Sequence, residues 1–260
     1  MTAPPVIELI DVAKAYGGQR AVGPLSLTIE RGEFVALLGG SGCGKTTTLK
    51  LINALAAPDA GEVRIEGRAA GAEPPYALRR RIGYVFQEIG LFPHMTVAEN
   101  IAVGPRLAGW DKPRLAARTD ELLDLIGLPR DVGARLPAAL SGGQRQRVGV
   151  ARALAAGPAI MLMDEPFGAL DPVTRDALGR EYRALHDQLG LTTVMVTHDV
   201  MEALLLADRI VVLDKGLAIA DGTPGQLLAD HANPTVRALM ETPRRQAERV
   251  AALATAPAHG

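Results

Sequence analysis

Phe34-Val35-Ala36-Leu37-Leu38 runs directly into Gly39-Gly40-Ser41-Gly42-Cys43-Gly44-Lys45-Thr46. This junction constrains the chain more than any other stretch. A continuous apolar run suits a strand buried on both faces, the usual condition in a parallel sheet. The G-x-x-x-x-G-K-[ST] spacing that follows demands a tight loop opening into a helix, which the pattern places over Gly44–Leu55. Glycines let backbone N–H groups turn inward around phosphate oxygens, and the helix N-terminus adds a partial positive charge. Lys45 can then reach terminal phosphates, and the Thr46 hydroxyl can ligate Mg²⁺. The candidate phosphate-binding set is Gly39, Gly40, Ser41, Gly42, Cys43, Gly44, Lys45, Thr46 and Thr47.

The rest of the chain fits an α/β core around that strand. Val6–Val12 and Leu25–Ile29 alternate apolar and polar residues, and Val63–Ile65 continues the pattern, so the N-terminal part reads as β-rich. From about residue 88 to 157 the pattern is helical with Gly and Pro breaks, an inserted helical unit. Ala159–Met163, Thr193–Thr197 and Arg209–Leu213 are short apolar strands, with helical segments near Asp171–Gln188 and Asp199–Ala207 between them. Strands alternating with helices imply a doubly wound parallel sheet. A short amphipathic stretch, Arg244–Leu253, precedes a C-terminal TAPAHG expected to be disordered.

Two further motifs carry chemistry. Asp164-Glu165 closes the Ala159–Met163 strand, at the C-terminal edge where parallel sheets bind ligands. There Asp164 would hold Mg²⁺ through water, and Glu165 would polarise an attacking water as general base. Leu140-Ser141-Gly142-Gly143-Gln144 is a capping-box pattern ahead of a helix. Two glycines weaken a helix start by roughly 1 kcal/mol each. What they permit is close approach of backbone to an anion.

With these motifs in this order, the chain resembles the ATP-binding subunit of ABC transporters over residues 6–240, with residues 241–260 as a short tail. The resemblance implies the ABC ATPase fold: a P-loop core with a parallel sheet, an N-terminal antiparallel β subdomain and an inserted helical subdomain. It implies a Mg²⁺-dependent ATPase coupled to transmembrane transport, with ATP and Mg²⁺ as cofactors. Tyr16 matches the aromatic that stacks on adenine. Gln87, in Tyr84-Val85-Phe86-Gln87, matches the glutamine that touches Mg²⁺ and senses the γ-phosphate. Ala169-Leu170-Asp171 matches the loop that crosses between subunits, and His198 the histidine that contacts the γ-phosphate. Ser141, Gly142, Gly143 and Gln144 would close over ATP held by a second copy in a head-to-tail homodimer. Catalysis then falls to Lys45, Gln87, Glu165 and His198, and the metal to Thr46, Gln87 and Asp164.

Several stretches, IGLFPHMT and GVARALA above all, are similar to importers of quaternary-ammonium osmoprotectants such as glycine betaine, choline and proline betaine. Importers of polyamines, sulfate or sugars share near variants, and an exporter ATPase is a further alternative. The apolar segment Ile89–Val97 is either packing for the helical unit or a docking surface for a transmembrane permease, which would work with a periplasmic or lipid-anchored substrate-binding protein.

A soluble ABC ATPase acting on ribosomes or DNA is the reading from another class. Lys plus Arg total 28 against 29 for Asp plus Glu, and aromatics are 3%. That balance provides neither an electrostatic footprint nor a stacking platform for nucleic acid. The single cysteine, Cys43, fits a reducing compartment. The N-terminus lacks the basic start and apolar run of a signal peptide. No uncharged apolar run reaches the ~18 residues of a membrane span. Together with these features, the resemblance implies a peripheral location on the cytoplasmic face of the inner membrane.

Overall fold

The computed structural model describes residues 4–229 and 232–255. β1 (Ile7–Tyr16) and β2 (Gln19–Ile29) form a hairpin, and β3 (Phe34–Leu38) leads through the glycine loop into α1 (Lys45–Ile52). β4 (Ala60–Ile65), β5 (Arg68–Ala69), α2 (Pro75–Arg79) and β6 (Ile82–Val85) follow. The helical unit consists of α3 (Val97–Leu107), α4 (Lys112–Leu125), two 3₁₀ turns and α5 (Gly142–Leu154). The α/β pattern then resumes with β7 (Ile160–Asp164), α6 (Pro172–Leu189), β8 (Thr192–Thr197), α7 (Val200–Leu206), β9 (Arg209–Asp214), β10 (Leu217–Gly222), α8 (Pro224–Leu228) and α9 (Pro234–Thr255).

The strands make two sheets. The first has order β2-β1-β4-β5 and is antiparallel throughout, as the alternating N-terminal pattern requires. The second has order β10-β9-β3-β8-β7-β6, parallel except for the β9–β10 edge pair. All five residues of β3 are buried. Phe34, Ala36 and Leu38 face one core with the helical unit and α6, while Val35 and Leu37 face the other with α1 and the N-terminal sheet. Two apolar layers on opposite faces of one strand are what a continuous apolar run encodes. Because the neighbours of β3 run parallel to it, their C-terminal ends collect at one edge.

Four elements differ from the sequence expectation. α1 stops at Ile52 rather than Leu55, because Ala54 turns left-handed (φ 48°) and Leu55 N–H bonds back to Lys50 O. β6 and β10 carry no strong strand pattern. The first is four residues long and the second is a partly exposed edge strand, joined to β9 through a Lys215-Gly216 turn with positive φ at both residues. The C-terminal helix is longer than the amphipathic stretch suggested, and α9 runs unbroken through residue 240. Residues 256–260 of the expected disordered end lie outside the described residues.

One buried polar chain ties the sheet to α6. The Tyr182 hydroxyl and His186 Nδ1 each lie 2.9 Å from Thr193 Oγ1, and His186 Nε2 lies 3.2 Å from Gly32 O. A carbonyl only accepts, so Nε2 carries the proton and Nδ1 accepts from Thr193. Tyr182 in turn donates to Thr193. Every partner is satisfied by a neutral imidazole. Burial, with the Arg183 guanidinium beside it, holds the His186 pKa below its ordinary 6.5. Below that pH the unfolded chain takes up a proton that the folded chain refuses. Stability should therefore fall with decreasing pH, by up to about 1.4 kcal/mol per pH unit from this group. Denaturation midpoints followed from pH 7.5 to 5.5 should decline less steeply in His186→Asn than in the parent; equal slopes would remove His186 as the cause.

Candidate functional site

The sheet order decides which side chains meet. Leu38 of β3 pairs with Thr197 of β8, Val196 of β8 with Asp164 of β7, and Met163 of β7 with Val85 of β6. The residues just past these positions are the glycine loop, His198, Glu165 and Gln87. Four separate stretches of sequence thus converge on one edge.

At its centre the Gly39–Thr47 loop wraps the start of α1. Gly44 has φ 107°, and a Cβ there would lie 2.3 Å from Ala21 O, so only glycine fits where the loop presses on the β1–β2 hairpin. The backbone N–H groups of Gly42, Gly44, Lys45, Thr46 and Thr47 have no acceptor among the described residues. Lys45 is buried at 5% exposure, and its Nζ donates to Gly39 O (2.7 Å) and Gly40 O (2.9 Å). A nest of inward N–H donors at a helix N-terminus, with an ammonium beside it, fits a polyphosphate. Cys43 is buried, with its sulfur 3.9 Å from Lys45 Nζ, and fills the loop.

Beside the loop, Thr46 Oγ1 donates to Asp164 Oδ1 at 2.9 Å. Burial pushes the Asp164 carboxyl above the usual carboxylate range, the Thr46 hydroxyl opposes that, and the Glu165 charge adds to it. Glu165 sits in the left-handed region (φ 45°). Its Oε2 accepts from Gln87 Nε2 (3.2 Å) and lies 3.2 Å from His198 Nδ1. Hydroxyl, amide and carboxylate oxygens form a hard donor set that suits Mg²⁺, which completes its shell with water and substrate phosphate.

Tyr16 ends β1 opposite Gln19, half-exposed, at the tip of the hairpin that abuts the loop. Ser141 and Gln144 cap α5 reciprocally: Gln144 N–H donates to Ser141 Oγ and Ser141 N–H to Gln144 Oε1. The capping-box pattern is therefore realised, and the N–H groups of Gly142 and Gly143 keep no acceptor among the described residues. No hydrogen bond or ion pair joins Ser141–Gln144 to the glycine loop within the described chain. They sit instead against Leu170 and Thr174, beside the Ala169-Leu170-Asp171 segment.

The family model described as ABC transporter matches residues 22–168. The chain belongs to the ABC transporter family. It is 52% identical over 232 residues to the glycine betaine uptake system ATP-binding protein YehX of Escherichia coli K12, covering 89% of this chain and 75% of that one. It is 50% identical to the glycine betaine/carnitine/choline transport ATP-binding protein OpuCA of Bacillus subtilis, again over 89% of this chain but only 61% of that relative's length. Among solved structures, a dimeric post-hydrolysis state of the ATP-binding cassette MJ0796, bound to ADP and Pi, superposes with TM-score 0.76. It is 34% identical and covers 84% of this chain and 98% of that one. The chain thus has the ABC ATPase fold, and it is an ATPase of the kind coupled to transport. No helix among the described residues is long and apolar enough to cross a membrane.

Three features of this cassette escape sequence reading. Arg175 donates to Asp199 Oδ2 (3.0 Å), Gly168 O (3.3 Å) and Leu170 O (3.2 Å), tying the loop at 169–171 to the residue after His198. Buried Asn100 organises residues 92–96, donating to the carbonyls of Phe92, Met95 and Thr96 and accepting from Phe92 N–H. Tyr76, Arg80, Leu107, Trp110 and Arg152 line a groove of about 490 Å³. Asn100 and Arg175 each lie four residues past a helix-capping residue, Thr96 and Asp171, while Arg152 has no such local spacing signal.

Proposed function

We propose that this cassette hydrolyses Mg²⁺-ATP at two sites of a head-to-tail homodimer and so drives import of quaternary-ammonium osmoprotectants of the glycine betaine and choline type. The observation that carries the enzymatic part is the Glu165 carboxylate at the sheet edge, flanked by Gln87 and His198 and next to the Thr46–Asp164 pair. Lys45 and the backbone of residues 40–47 neutralise phosphate charge. Tyr16 stacks on the adenine. Thr46, Gln87 and Asp164 would hold Mg²⁺, which when bound supplies Lewis-acid screening of the phosphate oxygens. Glu165 takes the proton of the attacking water, and His198 steadies both Glu165 and the γ-phosphate. Ser141–Gln144 of the second copy complete the site through the free N–H groups at the start of α5. This reading sets the domain limits at residues 6–240, with 241–260 as a tail.

The two relatives named for glycine betaine transport, each at or above 50% identity, support the substrate class. The groove lined by Tyr76, Leu107 and Trp110 would receive a cytoplasmic helix of the permease. Leu107 and Tyr76 are exposed there, an apolar surface that a partner can cover. The cassette would then sit peripherally on the cytoplasmic face of the membrane, with a periplasmic or lipid-anchored binding protein on the other side.

Tagged Glu165→Gln protein with Mg²⁺-ATP, passed through detergent-solubilised membranes of its source, should retain a polytopic membrane protein. The associated binding protein should bind glycine betaine or choline in calorimetry. A binding protein that takes only polyamines, sulfate or sugars would overturn the substrate class, and recovery of soluble partners alone would overturn the importer reading.

A further inference from the structure

We propose that Arg152, acting with Gly149, is a positioning residue for Gln87: it locks the loop after β6 to the helix that carries Ser141–Gln144. The inference rests on the reading of Gln87 as a metal- and phosphate-contacting residue.

Arg152 occupies the last turn of α5, and Ser141 caps the first. Its guanidinium forks onto two consecutive carbonyls, Nη2 to Ile89 O (2.5 Å) and Nη1 to Gly90 O (2.6 Å). No carboxylate among the described residues pairs with it, so the charge is directed wholly at this loop. Burial lowers its pKa accordingly.

The loop needs such a hold. Ile89 has φ 59°, a region that β-branched residues rarely enter unless surrounding structure fixes them there. Ile89 N–H bonds to Phe86 O (3.0 Å) and Gly90 N–H to Glu88 O (2.5 Å), which closes a tight turn immediately after Gln87. Three residues before Arg152, on the same face of α5, stands Gly149. A Cβ at Gly149 would lie 3.0 Å from Ile89 Cγ2, so α5 keeps a hollow for the Ile89 side chain. A mid-helix glycine is otherwise unfavourable. Hollow and fork together grip a strained residue two positions from Gln87.

Two consequences follow for coupling. A shift of α5 that moves Ser141–Gln144 also moves the Gln87 loop, because Arg152 joins them rigidly. Arg152 also lines the groove with Tyr76, Leu107 and Trp110, so whatever occupies that groove touches the same guanidinium.

The test is a double-mutant cycle between Arg152→Ala and Gln87→Ala, read three ways. Amide hydrogen exchange of residues 87–91 without nucleotide should accelerate about tenfold or more in Arg152→Ala. The Mg²⁺ concentration for half-maximal hydrolysis should rise, with kcat down about tenfold to a hundredfold, as expected for a misplaced catalytic group. ADP binding in EDTA should be unchanged. In the Gln87→Ala background, Arg152→Ala should add nothing. Arg152→Lys, which keeps the charge but not the fork, should be intermediate, and it carries the cycle if the alanine variant does not fold. Unaltered loop exchange, or an equal loss of rate with and without Gln87, would overturn the positioning role. So would wild-type behaviour of Arg152→Ala beside an impaired Gln87→Ala, which leaves the reading of Gln87 standing. A Gln87→Ala variant with unaltered Mg²⁺ dependence would remove that reading, and the positioning role with it.

Discussion

Glu165→Gln is expected to lower the turnover of ATP by about 10² to 10⁴, the range over which a general base contributes. The substitution preserves shape and keeps one oxygen to accept from Gln87 Nε2, now at 3.2 Å from Glu165 Oε2. What it removes is the capacity to take a proton from water. Glu165 sits beyond the last β7 residue with left-handed backbone, and its N–H is anchored to Val196 O (2.9 Å), so its place is set by the sheet rather than by its side chain. Nucleotide affinity should therefore persist. With binding intact and hydrolysis blocked, a dimer with ATP at both interfaces should accumulate and be visible by size-exclusion chromatography in Mg²⁺-ATP. Undiminished turnover in this variant would remove Glu165 as the base.

Lys45→Ala should weaken the preceding step, nucleotide binding. A charge-assisted hydrogen bond contributes about 1.5–3 kcal/mol, so losing the ammonium from a phosphate site should weaken ATP binding by about tenfold to a hundredfold. The variant also has a structural cost. Lys45 is 5% exposed and its Nζ satisfies the carbonyls of Gly39 and Gly40. Leaving those acceptors without a partner costs about 1–3 kcal/mol of stability. A thermal denaturation midpoint recorded without nucleotide separates the two effects, because only the loss of binding removes the upward shift that ATP gives the parent protein. Retained tight binding in calorimetry would contradict the placement of phosphate at this loop.

The core of the site was legible because its signals are local. The Phe34–Thr46 junction states both the strand and the loop, and Asp164-Glu165 marks a strand end. What brings Gln87 and His198 to Glu165 is strand order, β3-β8-β7-β6, and no short stretch of sequence encodes that. Their positions came from family resemblance, and the sheet supplies the physical reason. β6 and β10 were missed because a four-residue strand and a half-exposed edge strand carry little periodic signal. The roles of Arg152 and Arg175 do not follow from spacing, for a different reason. Arg152 and Arg175 act on backbone carbonyls far away in sequence or on an acid beyond the next strand, and surface arginines on helices look the same. Ser141–Gln144 form the helix cap that their spacing encodes, and in one copy the segment stays apart from the glycine loop, as the proposed shared site requires.

That last separation is the central claim, and mixing two inactive chains tests it most directly. On a Glu165→Gln background, one chain carries Lys45→Ala and the other Ser141→Arg, and occluded ATP per dimer is counted after rapid removal of free nucleotide. Each chain alone should occlude none. The mixed dimer pairs the intact glycine loop of one chain with the intact Ser141–Gln144 of the other, so it should hold one ATP. No occlusion in the mixture, or full occlusion by the Ser141→Arg chain alone, would mean that the ATP site is built within a single copy.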